Sequence, residues 1–491
     1  MAQQPVAQQP VRTVDVPAES LPVIDEADVV VVGGGSSGFI AATAAARTGA
    51  RTILVERFGY LGGCTTTTYN TSIGAFFDSN GEQIIRGLPW EFLQRMQRDG
   101  QAFLGPNGRN QLWPVWTKKV ALDMVTQAGV ELYLYTWVSG VLKKDGMIEG
   151  LIVQTKGGRS AILGQTFVDA SGDADVAATA GAPFEMTEVD DLQQVSCDYT
   201  ACGVDADRVL EWARENQGRL ASLRGTCDAP GLGALHVAEA EPKATGAQPM
   251  LTFVVPGPRT EEGYHIGVMP TVKLCIYREA VRLQGNVEID PLDPKALTYA
   301  EVQGLRGALE HLRYLQQTMP GFENAFLVAQ NHLGVRESRR IVGDYMIRID
   351  DLYNQARFDD VVALNCRGLD YHLKGTVFKI AFFQGHHDVP LRALLPQGVE
   401  NLVVCGRSIS CDHLAQASLR GAATCMATGH AAGTVAALAA RHNGQIRELD
   451  IGLVQRTLIR QDAILGTGER ASPAPESLSR PGQKARTASH R

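Results

Sequence analysis

The hydrophobic pattern of this chain opens on a short unbroken apolar run, Val29–Val32, followed at once by GGGSSG, an alanine-rich stretch and a second strand-like run that ends at Glu56. Strand, glycine turn, helix and strand in that order predict a βαβ unit of a parallel sheet. GLPWEFLQRMQRDG then places Leu88, Phe92, Leu93 and Met96 at helical spacing, and a loop rich in Gly and Asn leads to a second helix around Lys118 to Gln127. The apolar runs after it are cut at Asp145-Gly146 and Gly157-Gly158, both hairpin signals, which predicts a small antiparallel meander. Its last strand returns to the sheet at Val168 to Ala170, where Ser171-Gly172-Asp173 turns into a helix.

From about 185 to 395 extended pieces (Gln194 to Cys202, Met250 to Val255, His265 to Met269) alternate with helices (Asp207 to Asn216, Tyr299 to Gln317). GLGALH at Gly231 to His236 lacks a third glycine and a preceding strand, so it predicts a loop rather than a second nucleotide fingerprint. The strand Leu402 to Val404 then leads into Cys405-Gly406-Arg407-Ser408 and a helix starting near Thr424 to Thr428. The run MATGHAAGTVAALAA is short, rich in small residues and broken by His430, which predicts a packed helix and not a membrane span.

The first glycine-rich segment is in register for a dinucleotide. Gly33 permits the tight turn, Gly35 lets the backbone approach a pyrophosphate, and Gly38 lets the helix pack on the sheet. The helix starting near Ser36 and Ser37 aims free N–H groups at the phosphates. Glu56, 18 residues beyond Gly38, can accept from the adenosine ribose hydroxyls and disfavours a 2′-phosphate. Directly after it RFGYLGGCTTTT brings Arg57, the close-approach glycines Gly62 and Gly63, and small polar groups from Cys64 and Thr65 to Thr68, a loop suited to the long ribityl-pyrophosphate of FAD. Together with the C-terminal glycine-rich segment, which includes Gly429, it suggests one FAD held between the two ends of the sequence.

LGGCTT at Leu61 to Thr66, VDASGDADVAATAGAPF, GVRESRRIVGDY, GRSISCDHLAQASLR and CMATGHAAG resemble the FAD-dependent oxidoreductase family of bacterial flavoproteins, related in its FAD domain to the fumarate reductase and glutathione reductase flavoproteins; the likeness runs from about 26 to 445. That resemblance implies an α/β fold, a Rossmann-like FAD-binding domain of glutathione-reductase type with a β-meander and an inserted α+β substrate cap. The division it suggests is a flexible leader (1–25), the first FAD part (26–184), the cap (185–395), the second FAD part (396–445), a terminal helix (446–465) and a disordered tail (466–491). It also implies that Val138 sets a backbone amide near the adenine, and that Ala170, Ser171 and Gly172 form a second cofactor-facing turn. At the third turn, Gly406 and Ser408, related folds often carry an acid where this chain has Arg407, whose donor fork suits a phosphate. The helix starting near Thr424 to Thr428 would aim its N-terminal amides at the flavin's pyrimidine edge.

Length and 44% hydrophobic content allow two or three domains with large cores. A net charge of −7 without a basic block speaks against nucleic-acid partners. The nine cysteines (Cys64, Cys197, Cys202, Cys227, Cys275, Cys366, Cys405, Cys411, Cys425) form no zinc or iron–sulfur spacing, so no metal is expected, and they read as free thiols of a cytoplasmic protein. The leader lacks the apolar region of a secretory signal and no membrane attachment is expected. A homo-oligomer is the default expectation.

For chemistry, His413 is read as lying in the loop before the helix that starts near Thr424, as a base for a substrate hydroxyl or amine, or as orienting that loop through Asp412. Asp370 and His372 form a second acid–imidazole candidate; His386 and His387 are weaker ones. In GVRESRRIVGDY, alternation predicts Arg336, Ser338 and Arg340 on one face and Glu337 and Arg339 on the other, so that Arg336 clamps an anionic substrate or the cluster fixes a domain hinge. The expected function is hydride transfer between a small organic substrate and flavin N5, with a separate electron acceptor or donor and with His413, Arg336 and His372 as catalytic candidates. Reduction of an activated double bond, with Arg336 delivering the proton, a flavin monooxygenase and a non-redox flavoprotein are the alternatives.

Overall fold

A computed structural model describes residues 13–104, 110–215, 236–238, 250–254, 271–274, 281–372, 378–381 and 383–466. The expected strand His265 to Met269, the loop before His236, the first twelve residues and the tail after Gly466 lie outside the described residues.

The first βαβ unit sits in a seven-stranded sheet. Five of its strands run parallel, in the order Glu131–Tyr133, Thr52–Val55, Val23–Val32, Gly158–Asp169 and Leu402–Val404. Register aligns Tyr133 with Val55, Val55 with Val32, Val32 with Asp169 and Asp169 with Val404, so five strands end at one level. Glu56, Gly33, Ala170 and Cys405, the next residues of four of them, therefore share one rim, the edge at which open parallel sheets hold ligands. The returning strand forks: its first half pairs antiparallel with Met147–Thr155, its second half with Leu402–Val404. Asp145 and Gly146 both have positive φ, as a two-residue type I′ hairpin requires, and the expected meander is present.

The two ends of the chain meet helix on helix. Ser36–Arg47 crosses the almost entirely buried Ala422–Ala440, and a Cβ on Gly429 or Gly433 would stand 2.2 or 2.0 Å from the carbonyl oxygens of Ser37 or Ala41. Only glycine lets the two backbones approach so closely, which is why small residues dominate both helices.

The inserted region builds a second, six-stranded sheet around Val195–Cys202, covered by Pro294–Thr318, whose start is capped by Asp293 accepting from Lys295 N at 2.9 Å. Ala308, Leu312 and Leu315 of that helix bury against Tyr199 and Ala201. The chain rejoins the first body before 395: Ile347, Leu352, Val361–Leu364, Tyr371 and Val389 share one core with Val29, Val31 and Phe39 of the first βαβ unit. Among the described residues no helix is long and apolar enough to cross a membrane, and no acid, histidine and cysteine group could hold a metal.

Buried neutral histidines make this packing sensitive to acid. Burial pushes His311 and His430 down to about 4 and His387 to about 3. A histidine that stays neutral when folded but titrates near 6.5 when unfolded leaves the unfolded chain binding more protons between those values, so stability is complete above pH 6.5 and drains as pH falls toward 4. Each contributes on the order of 3 kcal/mol at the bottom of that window. The thermal midpoint should therefore fall steeply between pH 6.5 and 4. His430→Gln, which can still donate to Gln461 (His430 Nε2 lies 2.8 Å from its Oε1), should flatten that fall; an equally steep profile in the variant would refute this origin.

Candidate active site

Three turns meet at the rim. At the first, Gly33 (φ +94°) donates to Val55 O at 2.8 Å, and Ala170 N returns to Val32 O at 2.9 Å. No side chain caps the helix that follows, so the N–H groups of Ser36, Ser37 and Gly38 have no intrahelical partner and face the rim. A Cβ on Gly38 would lie 1.7 Å from Gly33 O. Glu56 ties the neighbouring loop to this turn: its Oε2 accepts from Gly34 N at 2.6 Å and its Oε1 from Phe58 N at 2.8 Å. Burial raises its pKa while those two amides oppose the shift, and each oxygen keeps a lone pair for a ribose hydroxyl. Arg57 stacks its guanidinium over Phe58 and Trp137, 5.0 and 5.3 Å from the ring centroids, next along the strand from Val138.

The loop at Gly62 and Gly63 closes on the first turn through Gly62 N to Gly34 O at 2.9 Å, and a Cβ on Gly63 would stand 2.8 Å from Gly35 Cα. Cys64 is exposed and Thr65 buried. The hydroxyls of Thr66, Thr67 and Thr68, expected to serve a ligand, donate instead to carbonyls of their own turn, at Gly63, Gly63 and Cys64. A four-residue helix with few internal bonds recruits its own side chains.

The second and third turns are held by acids and an arginine. Asp169, fully buried, accepts from Ser171 Oγ (2.6 Å), Ser171 N (3.0 Å), Val176 N (2.9 Å) and Ala177 N (3.0 Å), fixing Ser171 and Gly172 and capping the short helix Asp175–Thr179. Arg407 is no free phosphate fork: it pairs with Asp173 at 2.5 Å and donates to Ser338 Oγ at 2.9 Å, bolting the third turn to the second. Burial works against the Asp173 charge, but Arg407 and the Ser338 hydrogen bond outweigh it and hold this carboxyl below its usual range. Gly406 donates to Thr428 Oγ1 at 3.1 Å. Gly429 serves the helix crossing at Ser37, and the helix Ala422–Ala440 begins ahead of the expected Thr424. Ser36 Oγ and Ser408 Oγ are buried on this rim with no partner among the described residues, hydroxyls that a dinucleotide's oxygens would satisfy. The cradle fits FAD.

Beyond the third turn lies a second cluster. His413 is the first residue of the helix His413–Leu419 and not a loop residue; Asp412 is the cap, accepting from Ala415 N at 2.7 Å. His413 Nδ1 is 2.6 Å from Glu337 Oε1 and 3.0 Å from Thr187 Oγ1, while Nε2 meets the phenol oxygen of Tyr371 in a short hydrogen bond. An ionised carboxylate only accepts, so Nδ1 carries the proton and Nε2 accepts from the Tyr371 hydroxyl. Burial would raise the Glu337 pKa, but the hydrogen bonds from His413 and Thr187 and the charge of Arg340 hold it below the usual carboxylate range. Burial and the Glu337 charge push Tyr371 up to about 12.

The alternation expected in GVRESRR fails here. Residues 335–339 are irregular, and Glu337 pairs with buried Arg340 at 2.6 Å, because Ser338 and Arg339 are drawn to Asp173. Arg336 is buried and donates to the Gln194 carbonyl, and Gln416 Nε2 donates back to Arg336 O at 2.8 Å. His372 lies 3.0 Å from Asp370; burial and the charge of Arg336 press it down to about 4, so it is neutral. His386 contacts Asp78 at 3.4 Å, and His387 joins a buried network through Asn365 (3.1 Å) to Ser418 and Thr424, which positions the helix Ala422–Ala440. Nothing local in the sequence singles out Tyr371, Thr187 or Asp169; Asp412, a capping residue directly ahead of HLAQASL, is a readable helix start.

A sequence profile of FAD dependent oxidoreductases matches residues 28–458. No curated protein matches the chain. Among solved structures, it is similar to a geranylgeranyl bacteriochlorophyll reductase-like protein from Thermoplasma acidophilum (14% identity over 90% of this chain and 84% of that one, TM-score 0.42). It is similar also to a flavin-dependent brominase (13%, 89% and 84%, TM-score 0.41) and to p-nitrophenol 4-monooxygenase from Pseudomonas putida DLL-E4 (10%, 90% and 87%, TM-score 0.40). With the family match spanning nearly the whole described chain and a rim whose glycines, acid and orphaned hydroxyls suit the cofactor, this enzyme belongs to the FAD dependent oxidoreductase family and uses FAD.

Proposed function

We propose that the enzyme oxidises a small organic molecule bearing a hydroxyl or amine, and that Tyr371, His413 and Glu337 carry away its proton. The hydrogen-bonded chain from a phenol through an imidazole to a buried carboxylate supports this reading above all others. Bound FAD supplies the acceptor for the hydride, two electrons and one hydrogen leaving the substrate carbon. The protein handles the remaining proton. Tyr371 takes it on its oxygen as its own proton passes to His413 Nε2. Glu337 stabilises the imidazolium so formed, and Arg340 keeps that carboxylate ionised and in place. In the opposite direction the same chain would deliver a proton to a reduced double bond; Arg336, engaged with Gln194 O, is less suited to that task.

The inserted sheet and helix act as the substrate-facing cap, and a separate acceptor reoxidises the cofactor, in keeping with the single nucleotide fingerprint. Free cysteines fit a reducing compartment such as the cytoplasm. The test is anaerobic absorption of the holoenzyme near ~450 nm during addition of alcohols, amines and hydroxy acids, and, after dithionite, of unsaturated acids. Bleaching by a donor is expected. Silence toward every donor, with reoxidation by an unsaturated acid, would replace the dehydrogenase with a reductase.

A further inference from the structure

Beside the proton chain lies a group of charges that it does not use. Asp370 is shared by two arginines: Arg367 forms a short ion pair with it and Arg420 Nη2 lies 3.8 Å from its Oδ2. Two guanidinium charges thus face one carboxylate, and His372, the other neighbour of Asp370, is neutral. Arg420 is firmly placed. It donates to Gln193 Oε1 at 3.1 Å and to the Asp370 carbonyl in a short bond, yet its Nε is buried with no partner among the described residues. A buried guanidinium donor left without an acceptor is destabilising, and a surplus cation in a buried cluster is retained where something anionic arrives.

We propose that Arg420, supported by Arg367, binds the carboxylate of the substrate, so that the molecule oxidised is a small carboxylic acid whose hydroxyl or amino group sits close to that carboxylate. The inference rests on the proton chain assigned above. Arg420 holds the backbone carbonyl of Asp370, and Tyr371 is the next residue; Gln193 accepts from Arg420 on its side chain and reaches Glu337 Oε2 from its backbone N–H at 3.4 Å. Anion clamp and proton chain are therefore joined through two short links. Burial and the charges of Arg367 and Arg336 pull Arg420 down to about 9 against the pull of Asp370, a strain that a bound carboxylate relieves. For a hydroxy acid the balance is complete: the carbon gives a hydride to FAD, its hydroxyl proton goes to the chain, and the product is the corresponding oxo acid.

The holoenzyme is to be titrated with propionate and with propionamide, isosteres differing in charge, by calorimetry and by the flavin difference spectrum. Propionate should bind at least about tenfold more tightly, the range of one charge-assisted hydrogen bond. Arg420→Gln should weaken propionate by a similar factor at unchanged flavin content, with Arg420→Lys recovering part of it. Equal binding of the two probes overturns the proposal, as does wild-type propionate affinity in Arg420→Gln; should that variant not hold flavin, the wild-type comparison alone decides. Tight propionate binding with no donor able to bleach the flavin would sink the hydride-transfer reading and leave the anion site standing. Bleaching by neutral alcohols as efficient as by hydroxy acids would do the reverse.

Discussion

Gly33→Val will leave the protein without bound flavin and markedly less stable, while Gly81→Ala, also at a positive φ, will keep its flavin and lose only the smaller amount that the left-handed backbone costs. Both glycines are left-handed, at +94° and +82°, so both variants place a side chain where L residues are strained. Their surroundings differ. A Cβ on Gly33 would stand 2.5 Å from Ala170 O and 2.8 Å from Ala170 C, whereas one on Gly81 meets nothing within 4 Å. The left-handed conformation costs about 1–2 kcal/mol; overlap with backbone adds about 1–3 kcal/mol more. Ala170 cannot retreat, because its N–H is bonded to Val32 O. The turn must open instead, separating the strand end from the free amides of Ser36 and Ser37. The measurement is the ratio of absorbance near ~450 nm to protein, with a thermal midpoint for each variant. Full flavin occupancy in Gly33→Val would mean that this turn is not the cofactor's cradle.

The parts of this architecture that could be read from the sequence are those encoded locally. The glycine spacing after Val32 and the Asp145-Gly146 turn each state a backbone requirement within a few residues, and the structure shows the turn at Gly33 and the hairpin at Asp145-Gly146 as expected. Boundaries were shifted where proline opens a helix: Pro114 and Pro294 start the helices expected from Lys118 and Tyr299, because proline fits the first turn. What could not be read is the pairing of charges across the fold. Strand alternation sets Glu337 on the face opposite Arg340, but Asp173, 165 residues away from Ser338, bends the segment until Glu337 and Arg340 meet. Arg407 was expected to seek phosphate; the acid that claims it, Asp173, stands 234 residues earlier. Tyr371 carries no local signal at all, since only the packing of Leu369–His372 against the helix of His413 gives its hydroxyl a role.

Tyr371→Phe and His413→Gln should each lower the rate of flavin reduction by the true donor by roughly 10²–10⁴-fold, the usual contribution of a positioned acid or base. Loss of the phenol leaves the substrate hydroxyl facing a ring that cannot take its proton; loss of the imidazole leaves the phenol unable to pass its own onward. Because proton transfer belongs to the transition state, kcat should fall with KM little changed. Glu337→Gln should cost less, about ten- to a hundredfold, since it removes the charge that stabilises the imidazolium but keeps an oxygen near Nδ1. The decisive comparison is the double variant Tyr371→Phe, His413→Gln. Groups that act as one relay are not additive, so removing both should slow the reaction no more than removing the more damaging one alone. A purely structural role would instead lower the thermal midpoint and flavin content of each variant, with the double variant showing the sum. Multiplied rate losses at intact flavin content would show two independent functions, and the relay through His413 would have to be abandoned in favour of separate contacts with the substrate.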